Sequence, residues 1–220
     1  MEIGTLIREL GGGMWISAEI FILTLLFSLP LGLVVAFGRM SKIAPVRWVS
    51  KLYISIMRGT PLMLQLMVVY FGPYYLFGMR ISTGYRMTAV LIGFAINYAA
   101  YFAEIYRGGI EAIPVGQYEA AKVLGYSKGQ TFFRIVFPQV CKHILPAVTN
   151  EIITLVKDTS LARIIALQEI IWAGQSFLKG SQGISGAIWP MFFAAVYYLV
   201  FNGILTVLLG RLEKKLDYFR

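Results

Sequence analysis

Glu119-Ala120-Ala121-Lys122-Val123-Leu124-Gly125, followed by Ile135-Val136-Phe137-Pro138, lies in the longest polar interruption of a chain that otherwise reads as membrane-embedded. Read as bare chemistry, residues 116–125 form a short helix. Glu119 in its first turn complements the helix dipole, the alanines give it a thin face, and Gly125 ends it in a left-handed conformation. A thin, capped helix between two membrane spans suits insertion into a groove on another protein. A solvated loop helix has the same local chemistry, and spacing alone leaves both readings open.

Working outward, hydrophobic residues make up 58% of the 220 and charged residues only 14%, with a mean hydropathy of +0.70. A water-facing surface could not be built from that composition, so the chain is an all-α integral membrane protein. A span needs about 20 apolar residues to cross about 30 Å of hydrocarbon, and the length leaves room for about five with short loops, in one transmembrane domain over residues 1–220. The first residues, Met1 to Gly13, lack a basic leader region, and the apolar run after them is too long for a signal-peptide core, so it reads as a retained span. One cysteine, Cys141, and one histidine, His143, supply neither a disulfide nor a four-ligand zinc site. The net charge of +9 is spread between hydrophobic segments, which marks topology and anionic lipid rather than nucleic acid.

Spans are expected at about Trp15 to Phe37, Thr60 to Phe77, Met87 to Ile105, from near Ile144, and Ala187 to Leu209. Pro30 implies a kink in the first. Arg47, Lys51 and Arg58 fall on one face of a helix approaching the second. A basic loop is expected from Tyr106 to His143, an amphipathic helix or re-entrant element from Thr159 to Phe177, a Gly/Ser-rich turn at Gly180 to Gly186, and a charged tail from Arg211. With these spans, the two loops after the first and third spans and the tail carry thirteen Lys and Arg, against five on the opposite side. The positive-inside rule then places the amino terminus outside, and the carboxy terminus and the Glu-Ala-Ala loop in the cytoplasm.

Ionisable groups within spans are costly enough to be candidate functional residues. Arg58 and Glu104 each sit near a cytoplasmic span end. They either neutralise one another, with Arg107 joining them, or form a cytoplasmic gate made only in the closed state. Glu151 lies about 10 Å along the fourth span at the helical rise, with Thr154 and Asp158 at i+3 and i+7 on its face. It is either paired internally, with Lys157 or an arginine elsewhere, or part of an acidic site on a translocation path. On the third span, Asn97, Tyr101 and Glu104 share a face, and Asn97 is a substrate contact or helix–helix glue. A carboxylate held inside the membrane favours a cationic ligand, which makes Glu151, Thr154, Asp158 and Asn97 the candidate substrate-binding residues. The aromatic run Tyr70 to Tyr75, and Trp15, Trp48, Trp172 and Trp189, read as interfacial anchors.

The pattern Glu119-Ala120-Ala121, then Gly125, Ile135 and Phe137-Pro138, resembles the EAA loop of bacterial ABC-importer membrane subunits, with Phe137 where leucine is usual. Arg58-Gly59-Thr60-Pro61-Leu62, Ala103 to Ile110, Ala112-Ile113-Pro114 and Lys157-Asp158-Thr159-Ser160-Leu161 resemble the polar-amino-acid permease branch, in that family's order. The resemblance implies a type I importer transmembrane domain of five helices with a cytoplasmic coupling helix. It also implies a second membrane subunit, two ATPase subunits gripping the EAA helices (Glu119, Ala120, Ala121 and Gly125 here), and an extracellular or periplasmic solute-binding protein, all at a bacterial inner membrane. This chain contains no Gly-x-x-x-x-Gly-Lys-Ser/Thr phosphate loop, so ATP and magnesium are expected on the separate ATPase chain. The chain itself is expected to be no enzyme and to have no catalytic or metal-binding residues. A homodimer of membrane subunits is the first expectation. A self-contained secondary transporter would use the same polar residues without nucleotide. A membrane enzyme is disfavoured, because no His-rich, Cys-based or clustered Ser/His/Asp set is present.

Overall fold

The computed structural model describes residues 3–177 and 185–216 and contains helices and no strand among them. The helices are α1 (Ile3–Arg39), α2 (Ala44–Gly59), α3 (Leu62–Phe77), α4 (Tyr85–Glu111), α5 (Val115–Val123), α6 (Lys128–Thr131), α7 (Phe137–Asp158), α8 (Ile170–Ser176) and α9 (Ser185–Leu216). A π-helical turn, Phe132–Val136, joins α6 to α7, and a 3-10 segment, Thr159–Ile165, follows α7.

Among the described residues α1, α4 and α9 are each long and apolar enough to cross a membrane, and α2 with α3, bent by 107° at their break, are so only when taken together. Helix α7 is not among these, because Lys142, His143, Glu151, Lys157 and Asp158 dilute its apolar character. It is a core helix all the same, packed on α4 and α9. α1 begins well before the expected Trp15, since Gly11, Gly12 and Gly13 do not interrupt it. At 37 residues it is about 55 Å long, so it overshoots the hydrocarbon core. About 20 residues back from Arg39, Glu19 and Trp15 come to lie at the opposite interface.

α4 is the central post. Most of its apolar stretch is buried, whereas α9 turns Leu199, Val200 and Ile204 outward. Phe94, Tyr98 and Phe102 of α4 form the core with Ile20 and Phe21 of α1, Leu66 of α3 and Leu155 of α7. The α1–α4 crossing is close at Gly32, where a Cβ would stand 2.8 Å from Phe102 Cβ and 3.0 Å from the Ala99 carbonyl oxygen. Small residues at such crossings let backbones approach where burial of apolar surface offers no driving force between helices.

The expected basic loop from Tyr106 to His143 is nearly all helical. α4 runs on to Glu111, and α7 starts at Phe137 rather than near Ile144. Pro138 causes the π-turn: it donates no N–H and its ring would collide with the carbonyl four residues back, so one wider turn accommodates it, closed by Phe137 N–H on the Phe132 carbonyl. The expected helix or re-entrant element from Thr159 to Phe177 is a 3-10 segment, a turn at Ala166 with φ 57°, and the short α8. The fully buried Glu169 caps α8, accepting from the Ile171 and Trp172 amides at 2.8 Å each. Of the Gly/Ser-rich turn at 180–186, only its last two residues, which open α9, are among the described residues. α9 ends at Leu216, and the rest of the tail lies outside them.

Candidate functional site

The site is built around the break between α2 and α3. Pro61 has no amide to continue a helix and disfavours helical backbone at the residue before it, so Thr60 is extended (φ −124°, ψ 146°) and the chain turns. The turn frees carbonyls inside an apolar environment, and these need donors. Gln65 provides them: its Nε2 donates to the carbonyl oxygens of Met57 (3.0 Å) and Thr60 (3.1 Å) and to Thr60 Oγ1 (2.7 Å). Asn97 Nδ2 on α4 donates to Gln65 Oε1 (2.9 Å) and to the Met57 carbonyl (3.1 Å).

Beside this turn lies a pocket of about 310 Å³, lined by Thr60, Pro61, Leu62, Asn97, Tyr98, Tyr101, Glu151, Thr154 and Asp158. All four residues picked from sequence as substrate contacts therefore meet in one cavity. Glu151, Thr154 and Asp158 enter it from one stripe of α7, and Tyr98 donates its hydroxyl proton to Asp158 Oδ2 at 2.7 Å. Among the described residues no ion pair reaches either carboxylate. The internal Glu151–Lys157 pair is absent, and Lys157 is exposed. The arrangement offers two acidic groups, a hydroxyl and an aromatic wall to a ligand. Asn97 is only 4% exposed and its amide protons are committed to the turn, so helix–helix glue is its visible role.

Arg58 and Glu104 do not pair among the described residues. Glu104 is held by Arg107 at 2.7 Å and by Arg39 at 4.0 Å, while Arg107 also binds Glu111 at 2.5 Å. Arg58 instead places its guanidinium 5.3 Å from the centre of the Tyr101 ring. Mutual neutralisation by these two residues is thus corrected for this conformation: Glu104 draws its cations from α4 itself and from the end of α1.

α5 starts one residue earlier than expected, at Val115 behind Pro114, which places Glu119 beyond the first turn rather than in it. Its end follows the sequence reading. Gly125 has φ 78°, its amide donates to the Lys122 carbonyl (3.0 Å), and the Tyr126 amide donates to the Ala121 carbonyl (3.0 Å). This is a Schellman ending, which needs the left-handed residue. Ser127 and Gln130 then form a reciprocal capping box that starts α6 at once. Only Ala121 of α5 is buried. Val115, Val123 and Leu124 are 70%, 87% and 73% exposed, so the helix presents unpartnered apolar surface.

Residues 28–218 match the family of binding-protein-dependent transport system inner membrane components. The chain belongs to that family. It is an amino-acid permease subunit of an ABC importer, and it resembles the L-cystine transport system permease protein TcyB of Bacillus subtilis (34% identical, covering 96% of this chain and 87% of that protein). It is also 35% identical to the arginine transport system permease protein ArtQ of the same organism, over 93% and 90% of the two chains. Among solved structures, a chain of an amino acid ABC transporter crystallised with histidines superposes with a TM-score of 0.86 at 30% identity, covering 98% of this chain and 99% of that one. The inward-facing MetNI methionine transporter shares the fold at 17% identity and a TM-score of 0.72.

A permease of this family is not itself an enzyme: ATP is used by a partner ATPase, and a substrate-binding protein completes the importer. Two parts of the candidate site carry signals that the sequence reading does not use. Tyr98 was passed over beside Asn97, although a polar-tipped aromatic in mid-span calls for a hydroxyl partner. Gln65 carried a comparable signal as the lone amide in the apolar run of α3.

Proposed function

We propose that this permease carries a cationic amino acid, and that the pocket between the α2–α3 turn, α4 and α7 is its transit site. The observation that carries the reading is the pair of carboxylates, Glu151 and Asp158, lining one cavity with no ion-paired cation among the described residues. Such a cavity compensates its own charge by admitting an ammonium, guanidinium or imidazolium group, and it repels an anionic substrate. Thr154 supplies a hydroxyl to the same ligand, and the Tyr101 ring, which already carries the Arg58 guanidinium, closes the wall.

Transport is then a rocking of rigid helices. Nucleotide closes the ATPase dimer, α5 is carried with it, and the pocket opens alternately to the two sides. Two copies of this chain form the pathway in our reading, with amino termini outside and carboxy termini in the cytoplasm. The Arg58–Glu104 contact closes the cytoplasmic side in the other conformation. Mass measurement of the purified importer tests the homodimer; a paralogous permease in the complex overturns it.

The substrate reading is tested with Glu151→Gln in the complex reconstituted with its ATPase, measuring uptake of arginine and glutamine separately. Selective loss of arginine uptake is expected. Equal loss for both substrates refutes the assignment.

A further inference from the structure

The α1–α2 junction holds an open cleft of about 560 Å³, lined by Arg39, Ala44, Pro45, Arg47, Trp48 and Lys51. We infer that this cleft seats the phosphate of an anionic phospholipid. Arg39 is the last residue of α1, so the cleft sits where that span leaves the hydrocarbon. Its contact with Glu104 near the end of α4 puts the cleft on the same side of the molecule as α5. α2 is strongly amphipathic and has no acidic residue in its first turn, so no carboxylate there offsets the cations of the cleft.

Charge decides the occupant. No acidic residue occurs between Arg39 and Arg58, and Lys42, Arg47 and Lys51 are all exposed. A second copy docked on this face would bring the same cations against one another. Next to the cations, Trp48 is 64% exposed and Val49 60%, which gives acyl chains an apolar wall beside the headgroup seat. A tryptophan with flanking Lys and Arg is the composition of an interfacial anchor. Arg47 is already steered into place, since Nη1 donates to the Ser41 carbonyl at 3.1 Å. Arg39 is shared between this seat and Glu104, which links lipid charge to the helix that lines the transit pocket.

The test uses the full importer in mild detergent, titrated with phosphatidylglycerol or phosphatidylcholine and read by native mass spectrometry. Wild type should retain phosphatidylglycerol preferentially. Replacing two of the three lining cations, Arg47→Ala with Lys51→Ala, should weaken that retention about tenfold or more and leave phosphatidylcholine unchanged. The charge-keeping pair Arg47→Lys with Lys51→Arg should retain the lipid, which separates the effect from misfolding. Lys214→Ala with Lys215→Ala, an equal charge loss elsewhere, should change nothing. Retention unaffected by the first pair, or lost equally with the second, overturns the proposal. Displacement of the lipid by equimolar inorganic phosphate would assign the seat to a soluble anion. Loss of the ATPase from the first pair with lipid retention intact would assign it to an acidic protein face. Either result overturns the lipid.

Discussion

Tyr98 and Asp158, sixty positions apart, are joined by a 2.7 Å hydrogen bond from the tyrosine hydroxyl to Oδ2 of the carboxylate. The bond ties the buried face of α4 to the end of α7 and fixes one of the two acidic groups at the pocket wall. Tyr98→Phe keeps the ring packing against Phe94 and Phe102 and removes only the donor. A hydrogen bond to a charged acceptor is worth about 1.5–3 kcal/mol, so KM for arginine should rise about tenfold or more while the importer stays assembled. An unchanged KM would show that Asp158 needs no positioning.

The amide of Asn97 is predicted to act through the fold and not through the substrate. Asn97→Ala strips a donor from both the Met57 carbonyl and Gln65 Oε1, at the turn that forms one wall of the pocket. Interhelical hydrogen bonds in membranes are modest, so a loss of about 1–2 kcal/mol is expected, seen as a lower thermal midpoint of the complex in detergent. Uptake of arginine and glutamine should fall together. Loss confined to arginine would restore Asn97 as a substrate contact.

What could be read ahead of the structure follows from which forces are local. α1, α4 and α9 are legible because apolar length is a property of consecutive residues. The stripe Glu151, Thr154, Asp158 is legible because helical periodicity alone puts the three on one face. The π-turn was not, since it arises from Pro138 inside a helix whose start had been placed seven residues too late. Nor was the partner of Arg58: its choice of the Tyr101 ring over Glu104 depends on how α2 meets α4, and on Arg107 and Arg39 having reached Glu104 first. Tyr98 was hidden for the same reason, because its partner Asp158 lies sixty positions away, whereas Gln65 serves carbonyls five and eight residues back that only the break at Pro61 leaves free.

The gate makes a prediction that this conformation sharpens. Arg58 and Glu104 are held by other partners here and not by one another, so their contact must form on rearrangement. In a Cys141→Ser background, which removes the single native cysteine, Arg58→Cys with Glu104→Cys should cross-link in one nucleotide state of the importer and not in the other. Cross-linking that is equal in both states, or absent from both, removes the gate.

Gly125 gives the most direct test of coupling. Its φ of 78° closes α5 with two hydrogen bonds, from its own amide and that of Tyr126, and so aims the exposed Val123 and Leu124 outward. A β-branched residue in the left-handed region costs roughly 1–2 kcal/mol or more, so Gly125→Val should unwind the end of α5 and not shift it as a unit. Nothing lies within 4 Å of a Cβ built at this position, so the penalty is one of backbone conformation and not of crowding. Asparagine tolerates the left-handed region, and Gly125→Asn should therefore keep most of the uptake. If α5 transmits the ATPase motion, Gly125→Val should lose ATP-driven uptake while both permease and ATPase remain folded, with hydrolysis no longer stimulated by the loaded binding protein. Wild-type uptake and hydrolysis from the valine variant would mean that the shape of this helix end has no part in coupling.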